Sequence, residues 1–121
     1  MKIENYYDLV EAKDYSVVHI GFSENEMRMV FQKNGSPRTG FVIIMRGVVR
    51  YFDKGVVGHG PVILSLTSGP GSFGWDLPDS QRQCKELHIS SKKDRLDNLF
   101  RIIAKDIAFR ASSESDLNYP G

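Results

Sequence analysis

The feature that most constrains this chain is a series of short segments in which apolar and polar residues alternate, joined by tight-turn residues. The segment EMRMVFQ, residues 26–32, alternates throughout, with Met27 and Phe31 on the same side. Asn34 and Gly35 follow it, and both residue types tolerate the positive φ angles of a hairpin turn. Alternation with a period of two is typical of a half-buried strand. The middle of the chain is therefore predicted to be an antiparallel meander.

Four other segments have the composition and alternation of strands. In YSVVHIGF, residues 15–22, Val18, Ile20 and Phe22 are expected to share one side of the strand. In FVIIMRGVVRYFD, Gly47 interrupts a β-rich run and is expected to mark a bulge or bend. Besides 26–32, the predicted strands are residues 15–22, 41–53, 62–67 and 86–90.

The two ends of the chain show helical spacing instead. An apolar stripe predicts a long helix over residues 92–111. Ser91 and Asp94 form the S-x-x-D pattern that caps a helix N-terminus. A shorter stripe predicts a short helix near the start of the chain. The long stripe consists of Leu96, Leu99, Phe100, Ile103 and Ile107, and the short one of Ile3, Tyr6, Tyr7 and Val10.

These elements predict an α+β fold: an antiparallel sheet of about five strands, with a short N-terminal helix and a long C-terminal helix packed on one face. The apolar stripe of the long helix needs an apolar surface to cover, and one face of the sheet supplies it. A length of 121 residues fits one domain. Residues 1–111 are expected to form that domain and residues 112–121 a flexible polar tail.

Composition excludes several classes of protein. The formal net charge is +1, so no global field draws the chain to nucleic acid or to a membrane. Cys84 is the single cysteine, which excludes an intramolecular disulfide. No stretch approaches the roughly 18 apolar residues of a membrane-spanning helix, and the start of the sequence lacks the apolar core of a signal peptide. A cytoplasmic protein is expected.

A glycine-rich run raises the question of a nucleotide site. Gly69, Gly71 and Gly74 match the G-x-G-x-x-G pattern of dinucleotide-binding loops. Such a site requires a helix directly after the last glycine, with its N-terminus facing the phosphates. Only 11 residues, 75–85, separate Gly74 from the next predicted strand, and Pro78 is among them. The run is therefore interpreted as a turn within the meander, and no cofactor is predicted.

Candidate catalytic residues are few. His19 and His88 are both predicted on the outer face of the sheet, where they would meet only if their strands were neighbours. Cys84 lies four residues before His88, which on a strand is about 13 Å, too far for a nucleophile–base pair. The three histidines do not have the spacing of a metal-ligand set. We expect a non-catalytic protein without a metal; the alternative is a small enzyme or ligand-binding domain that uses His19 and His88.

A second alternative is a binder of single-stranded nucleic acid. Arg46, Arg50 and Tyr51 interleave basic and aromatic side chains, a combination that suits stacking on unpaired bases. The RNA-recognition fold, however, alternates helices with its strands, and residues 15–67 show no helical pattern. These residues are interpreted as strand positions with solvated arginines.

The overall plan of the chain resembles that of bacterial immunity proteins of contact-dependent and related polymorphic toxin systems. The resemblance covers a strand-rich body, residues 15–67, and a closing helix, residues 92–111, in a chain of 121 residues. No motif carries it. The resemblance implies a cytoplasmic, non-catalytic inhibitor that binds a cognate toxin domain, often a nuclease.

Two parts of the sequence are candidates for binding such a partner. Residues 1–26 carry six acidic and two basic side chains, and acids of this kind complement a basic nucleic-acid cleft. The loop 71–76 holds two large aromatic residues, which either pin the loop onto the core or stand exposed as a contact site. The predicted partner-binding residues are Phe73, Trp75 and Asp76 in the loop and the acids Glu4, Asp8, Glu11, Asp14, Glu24 and Glu26.

Overall fold

Six strands form one antiparallel sheet in the computed structural model, which describes residues 14–67, 76–78, 84–94 and 96–112. The order of the strands across the sheet is β1-β2-β3-β6-β5-β4. Every neighbouring pair is antiparallel. The strands are β1 (Tyr15–Ser23), β2 (Glu26–Lys33), β3 (Ser36–Asp53), β4 (Val62–Thr67), β5 (Lys85–Ser91) and β6 (Asn98–Ala111).

Tight turns join the first three strands where the sequence predicts them. Glu24 has a φ of 52° in the β1–β2 turn, and Gly35 has a φ of 81° in the β2–β3 turn. Asn34 also donates its side-chain amide to the carbonyl of Asp14 at 2.7 Å. The five segments predicted as strands all lie in β1 to β5, and the hairpin at Asn34 and Gly35 is confirmed.

The predicted α+β class is wrong, because the long C-terminal helix is a strand. β6 is hydrogen-bonded to β3 on one side and to β5 on the other. Ile102, Ile103 and Ala104 are consecutive and fully buried, since both faces of this central strand are covered. A strand buried on both faces has a continuous apolar run. Such a run also has apolar residues at the i, i+3, i+4 and i+7 positions that define the stripe of a helix. Leu96, the first residue of the predicted helical stripe, is 90% exposed in the turn before β6.

The predicted helix cap is a pair of side-chain turns in the β5–β6 connection. The hydroxyl of Ser91 accepts a hydrogen bond from the backbone N–H of Lys93 at 3.2 Å. The carboxylate of Asp94 accepts one from the N–H of Leu96 at 3.0 Å. Serine and aspartate satisfy nearby backbone amides in turns as readily as at helix ends. The S-x-x-D pattern therefore marks a turn here.

The sheet curls so strongly that its two edge strands approach each other. β1 contacts β4, and the backbone N–H of Gly58, between β3 and β4, donates to the carbonyl of Val17 in β1 at 3.0 Å. Side chains from all six strands form one buried cluster on the concave face. The sheet itself thus covers the apolar surface that was predicted to lie beneath a helix.

Two bulges decide which side chains face the core. The pairing of β1 with β2 shifts between Val17 and His19, so Val18 is an extra residue. Val17, Ile20 and Phe22 consequently lie opposite the core residues of β2, which corrects the prediction that Val18 shares their side. In β3 the pairing with β6 shifts between Val48 and Arg50, just after Gly47 with its φ of 64°. The bulge predicted at Gly47 is confirmed.

A small second cluster lies on the convex face. Leu77, Cys84 and Ile103 are buried there, with Val49 packed against them. Arg50 anchors the segment 76–78 above this cluster through two hydrogen bonds to the carboxylate of Asp76, at 2.7 and 3.2 Å. This cover explains why Ile103 is buried on the face of β6 that turns away from the main core.

Several predictions concern residues outside the described ranges. They are the short N-terminal helix with Ile3, Tyr6, Tyr7 and Val10, the glycine pattern of Gly69, Gly71 and Gly74, and the tail after Ser112. In the described part of the chain, no helix has the length and apolar character needed to cross a membrane.

Candidate functional site

Two exposed aromatic side chains stand together where the curled sheet is open. Phe22 lies near the end of β1 and Tyr51 near the end of β3, and their ring centroids are 6.0 Å apart with planes inclined at 46°. Phe22 is 64% exposed and Tyr51 is 51% exposed. We call this pair the aromatic ridge. Large apolar side chains that stay exposed side by side are a common mark of a contact surface.

The first cleft lies on one side of the aromatic ridge and has a volume of about 310 Å³. The buried side chains of Met27 and Phe100 line it from the core, so the cleft reaches the interior of the sheet. Val57 lines its wall and is 46% exposed. Besides Tyr51 of the ridge, the titratable residues of this lining are His19 and Asp53.

The second cleft lies on the other side of the aromatic ridge and also has a volume of about 310 Å³. It shares Phe22, Met27 and Tyr51 with the first cleft. Its charged residues are Glu24 and Glu26, both carboxylates from the β1–β2 turn and the start of β2. Each cleft therefore combines an aromatic wall with an acidic group.

The local folding of the chain explains why the ridge and its acids converge. The bulge at Val18 places Phe22 on the concave side opposite Met27, and the bulge after Gly47 does the same for Tyr51 opposite Ile102. Asp53 accepts backbone hydrogen bonds from Gly55 and Val56 at 2.9 and 3.0 Å through one carboxylate oxygen. This turn holds the carboxylate at the mouth of the first cleft.

The structure brings together only part of the predicted acidic set. Glu24 and Glu26 lie beside the aromatic ridge, whereas Asp14 precedes β1 at its opposite end, about 30 Å away by the usual rise per residue. Asp14 instead pairs with Lys92 at 3.0 Å. The carboxylate of Glu26 forms ion pairs with Arg28 at 3.2 Å and with Arg46 at 3.9 Å. Glu4, Asp8 and Glu11 lie outside the described residues.

The predicted loop site is placed only at Asp76. Its ion pair with Arg50 is 2.7 Å long, and the hydrogen bond from Arg50 lowers the pKa of the Asp76 carboxyl. Because Asp76 is held against the convex face, it lies on the opposite side of the sheet from the aromatic ridge. Phe73 and Trp75 lie outside the described residues.

The residues of the nucleic-acid alternative do not share a surface. Arg50 and Tyr51 are consecutive in β3 and therefore point to opposite faces of the sheet. Arg46 lies between two acidic cross-strand partners, Glu26 and Asp106. Carboxylates beside Arg46 and Arg50 offset the positive charge that a phosphate backbone requires.

The two histidines of the enzyme alternative lie on strands that are not hydrogen-bonded neighbours, β1 and β5. His88 has its own partners: its Nε2 is 2.7 Å from a carboxylate oxygen of Glu86 and 3.4 Å from the guanidinium of Arg101. Glu86 is only 1% exposed. The sequence does not predict this cluster of Glu86, His88 and Arg101, because a glutamate in a short strand is usually exposed to solvent.

A third cleft lies on the convex side, near the β5–β6 turn, with a volume of about 480 Å³. Lys54 and Asp97 in its lining pair with each other at 2.8 Å, and this contact lowers the pKa of Asp97 and raises that of Lys54. Phe52 and Leu96 line it too, but every residue of this cleft is at least partly exposed. The third cleft is shallower than the two clefts that reach the core.

Comparison of the chain with models of protein families, with curated proteins and with solved structures gives no match. Among the described residues, no group of three histidine, cysteine, aspartate or glutamate side chains is arranged to hold a metal ion. The aromatic ridge with its two clefts is therefore the candidate functional site, on geometry alone.

Proposed function

We propose that this chain is a non-catalytic protein-binding module whose partner docks on the aromatic ridge. The observation that carries the proposal is the exposure of Phe22 and Tyr51 directly above the buried side chains of Met27 and Phe100. Aromatic side chains beside a desolvated pocket are typical of the residues that dominate binding energy in protein interfaces. The ridge and the two clefts form one continuous surface of this kind.

The charged groups of the site favour binding over chemistry. Asp53 uses one carboxylate oxygen to hold its own turn. Glu26 is engaged with Arg28 and Arg46. His19 and His88 lie on β1 and β5, which are not neighbours in the sheet, so no cross-strand pairing brings together the two histidines of the enzyme alternative.

We further propose that the partner is a bacterial toxin domain and that this chain is its cytoplasmic immunity protein. The supporting observation is that Glu24 and Glu26, two of the predicted acidic contacts, lie beside the aromatic ridge. Acidic groups around an aromatic anchor complement the basic cleft of a nuclease. One element of the resemblance is lost, since the closing helix is β6; the strand-rich body remains.

The test is a protection assay with defined partners. Each toxin candidate encoded beside the gene is co-expressed with this chain, and growth and direct binding of the purified proteins are measured. The wild type and Phe52→Ala should protect and bind, while the double variant Phe22→Ala/Tyr51→Ala should do neither. Phe52 is a matched control because it is 44% exposed and neighbours Tyr51 in β3 but faces the other side. Full binding by the ridge variant would exclude the ridge as the docking surface.

A further inference from the structure

Both clefts beside the aromatic ridge are bordered by negative charge. The lining of the first cleft has Asp53 together with His19, and that of the second has Glu24 together with Glu26, whose carboxylate lies against Arg28 and Arg46. No lysine or arginine belongs to the lining of either cleft in the described part of the chain. An apolar surface with carboxylates on both of its sides selects among occupants by charge as well as by shape.

These carboxylates differ in how far other charges offset them. Glu26 lies near Arg28 and Arg46. Glu24 and Asp53 form no ion pair within the described residues. Asp53 keeps its second carboxylate oxygen clear of the two backbone hydrogen bonds that define its turn. Each cleft therefore presents one carboxylate beside an aromatic ring.

We propose that the two clefts receive cationic side chains, arginine or lysine, from a basic segment of the partner protein. This proposal rests on the proposed function and specifies the chemistry of its partner. A guanidinium or ammonium group binds against an aromatic face and donates hydrogen bonds to a carboxylate at the same time. Its aliphatic stem covers apolar surface such as that of Val57 in the first cleft. The rings of the ridge, 6.0 Å apart, contact each other, so the cations lie on the cleft sides of the ridge.

Two other occupants fit the charges less well. A purely apolar side chain would bury the carboxylates of Glu24 and Asp53 without a partner, and burial of an unpaired charge is unfavourable. A second copy of this chain, related by a two-fold axis through the ridge, would place the same acids against each other. A basic segment is the occupant that offsets the charge.

The experiment is an NMR titration of the full chain with three small probes. They are N-acetyl-arginine methylamide, its citrulline counterpart, which has the same shape without the charge, and the leucine counterpart. Amide shifts at Phe22, Tyr51 and Asp53 report binding in the clefts. We expect the arginine probe to bind about two- to fivefold more tightly than the citrulline probe, the range of an exposed cation–π contact, and the leucine probe to bind least.

A charge-neutral variant separates the carboxylates from the shape of the site. Glu24→Gln/Asp53→Asn keeps one side-chain oxygen at each position, which at Asp53 can still accept the two turn hydrogen bonds, and should abolish the preference for arginine over citrulline. The matched control, Asp94→Asn/Asp106→Asn, removes two charges from residues outside both clefts and should retain it.

Equal affinities for the arginine and citrulline probes, tighter binding of the leucine probe, or amide shifts confined to other surfaces would each overturn the proposal. The probes require no partner protein. If the wild type binds the arginine probe at the ridge but Phe22→Ala/Tyr51→Ala still protects against the toxin, only the proposed docking surface is refuted. If Phe22→Ala/Tyr51→Ala abolishes protection but the arginine and citrulline probes bind equally, only the cationic occupant is refuted.

Discussion

Phe22 of β1 and Tyr51 of β3 touch across the end of β2, with ring centroids 6.0 Å apart, although their strands are not neighbours in the sheet. The contact exists because β3 extends beyond the β1–β2 turn and curls toward β1. Since both rings are more than half exposed, little of the fold's stability depends on them. Their position is set by the sheet, and their surface is left for a partner.

The contact between these rings should be measurable as a small coupling. Phe22→Ala and Tyr51→Ala are each expected to lower the free energy of unfolding by no more than about 1 kcal/mol. A double-mutant cycle should give a coupling of about 0.5 kcal/mol, at the low end for aromatic pairs because the rings are solvated. Urea denaturation of the four proteins provides the measurement. A coupling of zero would show that the rings do not meet in solution.

A buried aromatic pair should behave in the opposite way. Phe31 of β2 and Phe41 of β3 are stacked in the core with centroids 4.4 Å apart and are fully buried. Phe41→Ala should lower the free energy of unfolding by about 3–5 kcal/mol, because it removes packed apolar surface and leaves a cavity. Phe52→Ala in the same strand is the control and should cost less than about 1 kcal/mol. Similar losses for the two variants would contradict the described core.

The sequence predicts β2 correctly and fails at β6. In β2 the polar outward residues Arg28 and Gln32 keep the alternation visible, although the outward Val30 is buried. β6 does not alternate in its middle, because Leu77 and Cys84 cover Ile103 on the convex face. That cover comes from a distant part of the chain, so no local pattern predicts it. The β-branched residues Ile102 and Ile103 favour a strand, a local signal that the helical spacing of the apolar residues does not take into account.

The candidate site was predictable only in part. Charge alone indicates Glu24 and Glu26, and a run of basic and aromatic residues indicates Tyr51. The sequence predicts no more for Phe22 than a strand position, because its exposure depends on the bulge at Val18 and on the curl of the sheet. Asp53 joins the site through a turn at the far end of β3. Tertiary geometry, which the sequence does not encode locally, assembles these residues.

Gly47 should tolerate substitution poorly. Its φ is 64°, and a Cβ atom there would lie 3.0 Å from the side chain of Lys105. Gly47→Ala is expected to lower the free energy of unfolding by about 1–3 kcal/mol through backbone strain and this contact. Gly35→Ala is the matched control, because Gly35 also has a positive φ, 81°, but open space around it. Thermal unfolding should rank Gly47→Ala as the more damaging change, and the reverse order would contradict the described bulge.

Removal of the buried carboxylate on the convex face should be costly. Glu86 lies within 2.7 Å of His88 and 3.9 Å of Arg101. Glu86→Ala leaves both groups without this carboxylate in a buried setting and should lower the free energy of unfolding by about 3 kcal/mol. Glu86→Gln keeps an oxygen that can accept a hydrogen bond and should cost less. Urea denaturation compares them, and equal losses would show that the negative charge of the carboxylate, which both variants remove, accounts for the whole effect.

The ion pair of Lys54 and Asp97 should make a small, pH-dependent contribution to stability. The hydrogen bond from Lys54 holds the pKa of Asp97 below its ordinary value of 3.8, so the contribution is complete above that pH and is lost as the pH falls through the lowered pKa. The same bond raises the pKa of Lys54 above 10.5, so the contribution is also lost as the pH rises through the raised value.

The difference in urea midpoint between wild type and Asp97→Asn should therefore be constant near neutrality and shrink at both extremes. Because the lysine is largely exposed, high salt should reduce the difference as well. A difference that persists unchanged below the ordinary pKa of aspartate would show that the pair does not form in solution.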